Sequence, residues 1–241
     1  MKKTTDRTLY ASPFEKGYWR AALSEFKSLR MLVMAALFIA LRIAVKLVSI
    51  DLGGSLKLGV DFLVNSVGSM VCGPLVGLLI GAVSDTLGFL IHPSGDYFLP
   101  FMLVEMSSSF IFGLFLYRAK LTKTRMILSR FAVIGFCNLI LTQLFLKWQY
   151  TIMYAKDYAF FRWARVVKNL CLFPAEAFLL CFWLTAISAV TYKLGLTHAK
   201  PEKLKITAGT IILVILLALF AAGCVIAYPY VKDFLAANNI K

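Results

Sequence analysis

Long apolar stretches separated by short polar segments dominate the chain. A helix that crosses a bilayer needs about 20 mostly apolar residues. Stretches of roughly this kind predict seven membrane helices: Leu29–Ile50, Leu58–Val71, Pro74–Ile91, Phe98–Tyr117, Met126–Trp148, Val166–Tyr192 and Ile206–Tyr230. The second stretch is short and carries Asp61 and Asn65, so we expect it to be broken or tilted. It meets the third at Cys72-Gly73-Pro74, which predicts a tight turn.

The same pattern divides the chain into three parts. Residues 1–28 are polar and basic and lack the pattern of a cleavable signal peptide. Residues 29–195 are expected to form a membrane domain of six helices. Residues 196–241 are expected to form a basic linker and an extra hydrophobic helix. The predicted fold class is therefore an all-α integral membrane protein, a six-helix bundle plus one additional C-terminal transmembrane helix.

Composition supports a membrane protein and argues against a soluble enzyme, a nucleic-acid binder or a disordered chain. Apolar residues make up 60% of the chain and charged residues 16%, against about 45–50% and 25% in soluble domains. The five cysteines form no CxxC pair and only two histidines occur, so no disulfide framework, metal site or cofactor is expected.

The net charge of +14 is interpreted as a sign of topology, because basic residues are enriched in cytoplasmic loops. With the N-terminus in the cytoplasm, about twice as many Lys and Arg residues fall on the cytoplasmic side as outside. The chain is therefore expected in the cell membrane as a multi-pass protein with a cytoplasmic N-terminus.

Ionisable and amide side chains inside the spans are candidates for function, because burying them in a bilayer is costly. Nearly all fall in the predicted outer halves, which indicates a polar cup open to the outside rather than a channel lined throughout. Alternatively, they pair with one another as structural salt bridges, and Arg42 could extend along its helix to the interface. The set includes Arg42, Lys46, Asp61, Asn65, Asp85, Glu105, Arg165, Lys168, Asn169 and Glu176.

Aromatic residues follow a predicted turn at Pro93 and Gly95, between the third and fourth spans. Tyr97, Phe98 and Phe101 lie at the expected outer rim. They could form part of the interfacial aromatic belt or stack on a flat ligand ring. Both interpretations stay open.

Two stripes of small residues spaced four apart can let helices approach closely. Gly73, Gly77 and Gly81 are expected to pack inside the bundle. Ala36, Ala40 and Ala44 could either pack inside the bundle or form a docking surface for a partner protein.

Several short motifs resemble those of one transporter family. The chain resembles the S components, the substrate-binding subunits, of energy-coupling factor (ECF) vitamin transporters, and its pattern is most similar to the folate branch. The resemblance covers about residue 36 to residue 176. Its motifs are Ala36-Leu-Phe-Ile-Ala40, Gly73-Pro74-Leu75, Ser84-Asp85-Thr-Leu-Gly88, Pro93-Ser-Gly95-Asp-Tyr97-Phe98, Gly113-Leu-Phe-Leu-Tyr117, Arg165-Val-Val-Lys168-Asn169 and Pro174-Ala-Glu176.

The resemblance implies an S-component-like six-helix bundle that captures a vitamin from outside. Its implied partners are a transmembrane coupling subunit, docked at Ala36, Ala40 and Ala44, and two cytoplasmic ATPases. No ATP-binding motif occurs in the chain itself. Two departures from the family are the extra helix and Asp61, which stands where a small or apolar residue is expected.

Folate fits the candidate residues chemically. Its pterin edge offers hydrogen-bond donors to the carboxylates of Asp61, Asp85 or Glu105, and its ring can stack on Tyr97 or Phe98. Its glutamate tail can pair with Lys46, Arg165 and Lys168. Arg165 and Lys168 are three residues apart on one helix face, and Asn169 lies on the same side.

Other functions remain as alternatives. The ligand could be another vitamin or precursor, such as riboflavin or a cobalamin-related or queuosine-like compound. An intramembrane enzyme could use Asp85, Glu105 or Glu176 as acids and bases. No HExxH motif, serine–histidine arrangement or acidic metal-ligand repeat is present, so no enzymatic activity is expected. A purely structural bundle is the remaining class.

Overall fold

The computed structural model describes residues 8–46, 49–51, 57–93, 96–155 and 163–200, together with Gly223 and Tyr230. The predicted extra helix, Ile206–Tyr230, lies outside these described residues apart from those two positions. The described part is almost entirely helical, which confirms the predicted all-α membrane fold.

The helices follow one another with short connections. A short helix α1 (Tyr18–Ser24) continues into a 3₁₀ turn (Glu25–Lys27), and α2 (Leu29–Lys46) follows. Two short antiparallel strands, β1 (Ser49–Asp51) and β2 (Lys57–Gly59), form a small hairpin. The remaining helices are α3 (Asp61–Ile91), α4 (Pro100–Leu116), α5 (Lys123–Val133), a π-helical segment (Ile134–Leu141), α6 (Thr142–Met153) and α7 (Trp163–Lys193).

The chain reverses direction inside α3, at the predicted turn. Gly73 has φ 84° and ψ 175°, a backbone conformation that interrupts the helix and that favours glycine. A Cβ atom placed on Gly77 would lie 3.4 Å from the Ser69 hydroxyl oxygen. A straight helix would separate residues eight positions apart by about 12 Å. The segments 61–72 and 74–91 are therefore two arms of a helical hairpin.

The hairpin brings the described bundle to the predicted six segments: α2, the two arms of α3, α4, the α5–α6 unit and α7. Within the described residues, Lys123–Met153 and Arg165–Lys193 are each long and apolar enough to cross a membrane, and Asp61–Ile91 has a similar length and apolar character in its two arms together. A fourth span results if Tyr18–Lys27 and Leu29–Lys46 count together, although an 84° bend separates them. The β-hairpin was not predicted. The polar–apolar alternation of Ser49-Ile50-Asp51 suits a strand.

Glycine allows the first helices to pack with their backbones in contact. A Cβ atom on Gly113 would lie 2.5 Å from Pro74 Cα, and one on Gly81 would lie 2.8 Å from the Glu105 carbonyl oxygen. Gly77 likewise approaches the backbone of Ser109. The expectation that the glycine stripe packs inside the bundle is therefore confirmed.

The alanine stripe is exposed, whereas the glycine stripe is buried. Ala36, Ala40 and Ala44 are all exposed on α2, while Phe38 and Arg42 on the same helix are buried. The alternative in which this stripe packs inside the bundle is therefore wrong for the described structure. Among the described residues, the stripe is left uncovered.

Candidate functional site

The core of the candidate site is a buried charge pair between α2 and α4. Arg42 is fully buried. Its guanidinium donates to the Glu105 carboxylate and, over 3.0 Å, to the Ser109 hydroxyl. Because both partners lie on α4, Arg42 points into the bundle. The expectation that Arg42 could extend to the interface is wrong.

A second cation extends this pair toward α3. The Lys46 ammonium lies 3.1 Å from the Asp85 carboxylate and 3.2 Å from that of Glu105. Glu105 thus neutralises two cations, and Lys46 bridges two acids. Asp61, at the start of α3, lies near enough to interact electrostatically with Arg42, Lys46 and Glu105. Within this network, Arg42 and Lys46 therefore pair with Asp85 and Glu105, as the structural alternative supposes.

Uncharged polar groups continue the network below Glu105. The Ser109 hydroxyl donates to Asn65 Oδ1 over 2.8 Å, and the Asn65 amide donates to Ser108 over 3.0 Å. Ser108 and Ser109 were not among the predicted site residues. No pattern in the sequence separates them from other small residues of an apolar helix.

Two neighbouring cavities open at the end of the bundle that carries these charges. One has a volume of about 280 Å³ and is lined by Ile43, Lys46, Asp85, Gly88, Phe89, Ile91 and His92. The other has a volume of about 290 Å³ and is lined by Asp85, Phe89, Asp96, Tyr97, Phe98, Phe101, Gln149 and Tyr154. Asp85 and Phe89 line both. The two cavities are thus adjacent, and Asp85 presents a carboxylate to each.

Aromatic rings form much of the second cavity. Tyr97 packs on Phe89 with ring centroids 4.8 Å apart, and its hydroxyl lies 3.1 Å from that of Thr86. Phe98 contacts Trp148 edge to face at 5.7 Å. Both predicted stacking residues therefore lie at the cavity.

A hydrogen bond across the cavity rim joins two parts of the chain. The Tyr154 hydroxyl donates to the Asp96 carboxylate over 2.7 Å, and this bond raises the pKa of Tyr154. Sequence reasoning missed Asp96, Tyr154 and the buried Gln149. They come from a loop and the far end of another helix, and only the fold brings them together.

The predicted polar and basic cluster lies near the start of α7. Arg165, Lys168 and Asn169 are half-buried, and none of them lines either cavity. Asn169 accepts a hydrogen bond of 3.1 Å from the Asn138 amide. In the described part of the chain, no carboxylate forms an ion pair with Arg165 or Lys168.

Glu176 has a different partner further along α7. Its carboxylate lies 2.9 Å from the Arg130 guanidinium, which also stacks over the Phe62 ring at 4.1 Å. This pair connects α7 to α5 and α3.

On α6, the Gln143 side chain is fully buried, and neither of its amide atoms has a hydrogen-bond partner among the described residues.

A bundle of apolar helices with charged, ring-lined cavities at one end defines a membrane protein that can bind a small molecule. Residues 26–171 match the family model described as ECF-type riboflavin transporter, S component. The chain therefore belongs to the S components of ECF-type transporters. The members of this family are transporter subunits, which confirms that the chain is not an enzyme.

A curated relative and a solved structure are among the proteins that are similar to the chain. The folate transporter FolT of Clostridium novyi (strain NT) is 30% identical over 122 residues, which cover 51% of this chain and 69% of the relative. A crystal structure of FolT bound with folic acid superposes with a TM-score of 0.56 at 25% identity. The match covers 64% of this chain and 91% of that one. Both findings confirm the resemblance to the folate branch.

Proposed function

We propose that this chain binds folate or a closely related pterin on the outer side of the membrane and delivers it through an ECF importer. The observation that carries this proposal is the second cavity, where Tyr97 and Phe98 lie beside the carboxylate of Asp85. Flat aromatic ligands stack on such rings. A carboxylate accepts hydrogen bonds from the donor groups along a pterin edge.

The remaining charges can be divided by whether they already have partners. Lys46 and Glu105 are held in the buried network with Arg42, so we assign them mainly to positioning Asp85. Asp61 extends the acidic side of this network. Arg165 and Lys168, with Asn169 beside them, are the proposed partners of an anionic glutamate tail.

Ligand identity is tested directly with the full-length chain in lipid nanodiscs. Small molecules that co-purify are identified by mass spectrometry, and folic acid and riboflavin are then titrated by calorimetry. We expect a folate-type pterin to co-purify and folic acid to bind more tightly. Co-purification of riboflavin, or of an isoprenoid or phospholipid product, would contradict the folate assignment.

Riboflavin is a second candidate because the matching family model bears its name. Replacing Lys168 separates the two ligands, since folate carries carboxylates and riboflavin carries none. We expect Lys168→Ala to weaken folate binding by about 1.5–3 kcal/mol, the range for charge-assisted hydrogen bonds. Riboflavin affinity should not change. The control is Lys147→Ala, an exposed lysine on α6, which should leave both affinities unchanged.

We also propose that the exposed alanine stripe docks a transmembrane coupling subunit driven by two ATPases. Ala36, Ala40 and Ala44 form a flat surface on α2, away from the cavities. We expect Ala36→Trp and Ala40→Trp to abolish vitamin uptake by the complete transporter while ligand binding to the isolated chain is retained. Leu41→Trp is the control, because Leu41 is exposed one position away from the stripe. Unchanged uptake in both alanine variants would contradict docking.

The proposed orientation places the N-terminus in the cytoplasm. Exposed lysines and arginines of the N-terminal segment and of the α4–α5 connection lie at the end of the bundle opposite the cavities, in keeping with positive-inside topology. A cysteine introduced at the exposed Glu15 should react with an impermeant maleimide only after cells are permeabilised. Labelling of intact cells would reverse the orientation.

A further inference from the structure

The segment Tyr18–Lys27 has an orientation and a surface pattern that the vitamin-binding function does not explain. The segment bends by 84° from α2. Because α2 belongs to the membrane bundle, a segment at nearly a right angle to it runs along the membrane plane. Its own residues fall into three stripes, each following the i, i+4, i+7 spacing of one helix face.

The first stripe attaches the segment to the bundle. Tyr18, Ala22 and Glu25 are buried. The Tyr18 hydroxyl donates to the Gly113 carbonyl oxygen over 3.1 Å, and Glu25 accepts 2.6 Å and 3.0 Å bonds from Tyr117 and Arg118. The rotation of the segment about its own axis is thereby fixed, so its two other faces have defined directions.

The second stripe is apolar and partly exposed, although Trp19 also stacks on Phe110. Trp19 is 39% exposed, Leu23 57% and Phe26 38%. Each residue follows a buried one by one position, so this stripe is rotated by about 100° from the bundle-facing one. Exposed apolar side chains continue from it onto the start of α2, at Leu29 and Val33. The stripe is thus continuous with the surface that α2 presents inside the bilayer.

The third stripe is basic. Arg20 and Lys27 are exposed, with Lys16 just before the helix. They follow the apolar stripe by one further position, about 100° around the helix. Within this stripe no acidic residue occurs, and the buried Glu25 faces the bundle instead. A helix lying in a membrane interface needs this arrangement, with apolar side chains toward the acyl chains and cations at the headgroups.

We infer that Tyr18–Lys27 is an interfacial lipid-binding helix that takes the anionic headgroups of the adjacent leaflet through Arg20 and Lys27 while Trp19, Leu23 and Phe26 enter the acyl region. Its attachment through Tyr18 and Glu25 connects this anchoring to the end of α4. The inference is independent of which vitamin is bound.

The first experiment compares thermal unfolding of the full-length chain in nanodiscs of phosphatidylcholine and of equal parts phosphatidylcholine and phosphatidylglycerol. A lipid that binds the folded state raises the unfolding temperature. We expect anionic lipid to raise it for the natural chain, and the double variant Arg20→Glu/Lys27→Glu to lose most of that rise. The control Lys120→Glu/Lys123→Glu makes the same change in charge at the same end of the bundle. It should keep the rise in unfolding temperature that anionic lipid causes. An equal loss in both variants would overturn the inference.

The second experiment measures the depth of Trp19. In a chain where Trp148, Trp163 and Trp183 are replaced by phenylalanine, lipids brominated on their acyl chains quench a tryptophan that enters the acyl region. We expect brominated phosphatidylglycerol to quench Trp19 more strongly than the same amount of brominated phosphatidylcholine, and Arg20→Glu/Lys27→Glu to abolish the difference. Unquenched Trp19 emission would overturn the inference. Loss of the coupling subunit from the Arg20→Glu/Lys27→Glu variant without any change in quenching would also overturn it and would assign this face to a protein partner.

Discussion

The two halves of the described bundle are built differently. In the first half, α2, α3 and α4 pack with glycine backbones in contact. In the most apolar 18-residue stretch of α3, 72% of the residues are buried. In the second half, the buried share of such a stretch is 33% in Lys123–Met153 and 28% in Arg165–Lys193. Helix α3 thus forms the buried centre of the described bundle, and the helices of the second half expose more of their surface.

The halves also treat their charges differently. Arg42, Lys46, Asp85 and Glu105 form one connected network in the first half. In the described second half, a single pair joins Arg130 to Glu176. The second cavity draws its lining from both halves, because Gln149 and Tyr154 line it together with residues of α3 and α4. A ligand at this cavity therefore contacts both halves.

The sharpest test of the charge network in the first half is the substitution Glu105→Gln. It removes the acid shared by Arg42 and Lys46 and leaves the fully buried Arg42 guanidinium without its ion-pair partner. Breaking a buried ion pair in this way costs about 3–5 kcal/mol. We expect the largest loss of stability among the variants considered, measured as the unfolding temperature in nanodiscs.

A compensated variant separates charge from packing. Arg42→Met/Glu105→Gln removes both charges of the pair, so no unpaired guanidinium is left between α2 and α4. The cost of breaking a buried pair comes mainly from the charge that is left without its partner. We expect the double variant to recover most of the lost stability. A double variant as unstable as the single one would show that the packing of these side chains, and not their charge, determines the stability of the contact between α2 and α4.

Matched glycine substitutions compare the packing of the halves. In Gly113→Ala the new Cβ atom would overlap Pro74, 2.5 Å from its Cα, and overpacking of this kind costs about 1–3 kcal/mol. Gly135, in the π-helical segment, has nothing within 4 Å of the same position. Gly135→Ala should therefore be neutral or stabilise by up to about 1 kcal/mol, since alanine favours helix. Equal losses in the two variants would remove the packing contrast.

Among the destabilising substitutions, Glu176→Gln is expected to have the smallest effect. Arg130 loses its carboxylate partner but keeps the Phe62 ring, and glutamine can still accept a hydrogen bond. We expect a loss of about 1–2 kcal/mol, near the lower range for hydrogen bonds to charged groups. Unfolding in nanodiscs measures it beside Glu105→Gln. A loss as large as that of Glu105→Gln would show that the second half depends on its charge pair as strongly as the first.

Most of the fold was predictable because membrane helices are set by local properties. Apolar stretches of spanning length gave six helical segments, and Gly73 before Pro74 gave the hairpin turn. The α2 end, predicted at Ile50, falls at Lys46, because the alternating residues beyond it pair in a β-hairpin. The polar character of the site was also predictable, since ionisable residues stand out in apolar segments.

The sequence by itself determined which residues are costly to bury and therefore must find partners, among them Arg42, Lys46, Asp85 and Glu105. Only the tertiary structure decided those partners, because contacts between α2, α3 and α4 join residues up to about 67 positions apart in the chain. It also decided that the alanine stripe faces outward while the glycine stripe faces inward. The two stripes share one local pattern, and only the placement of neighbouring helices distinguishes them.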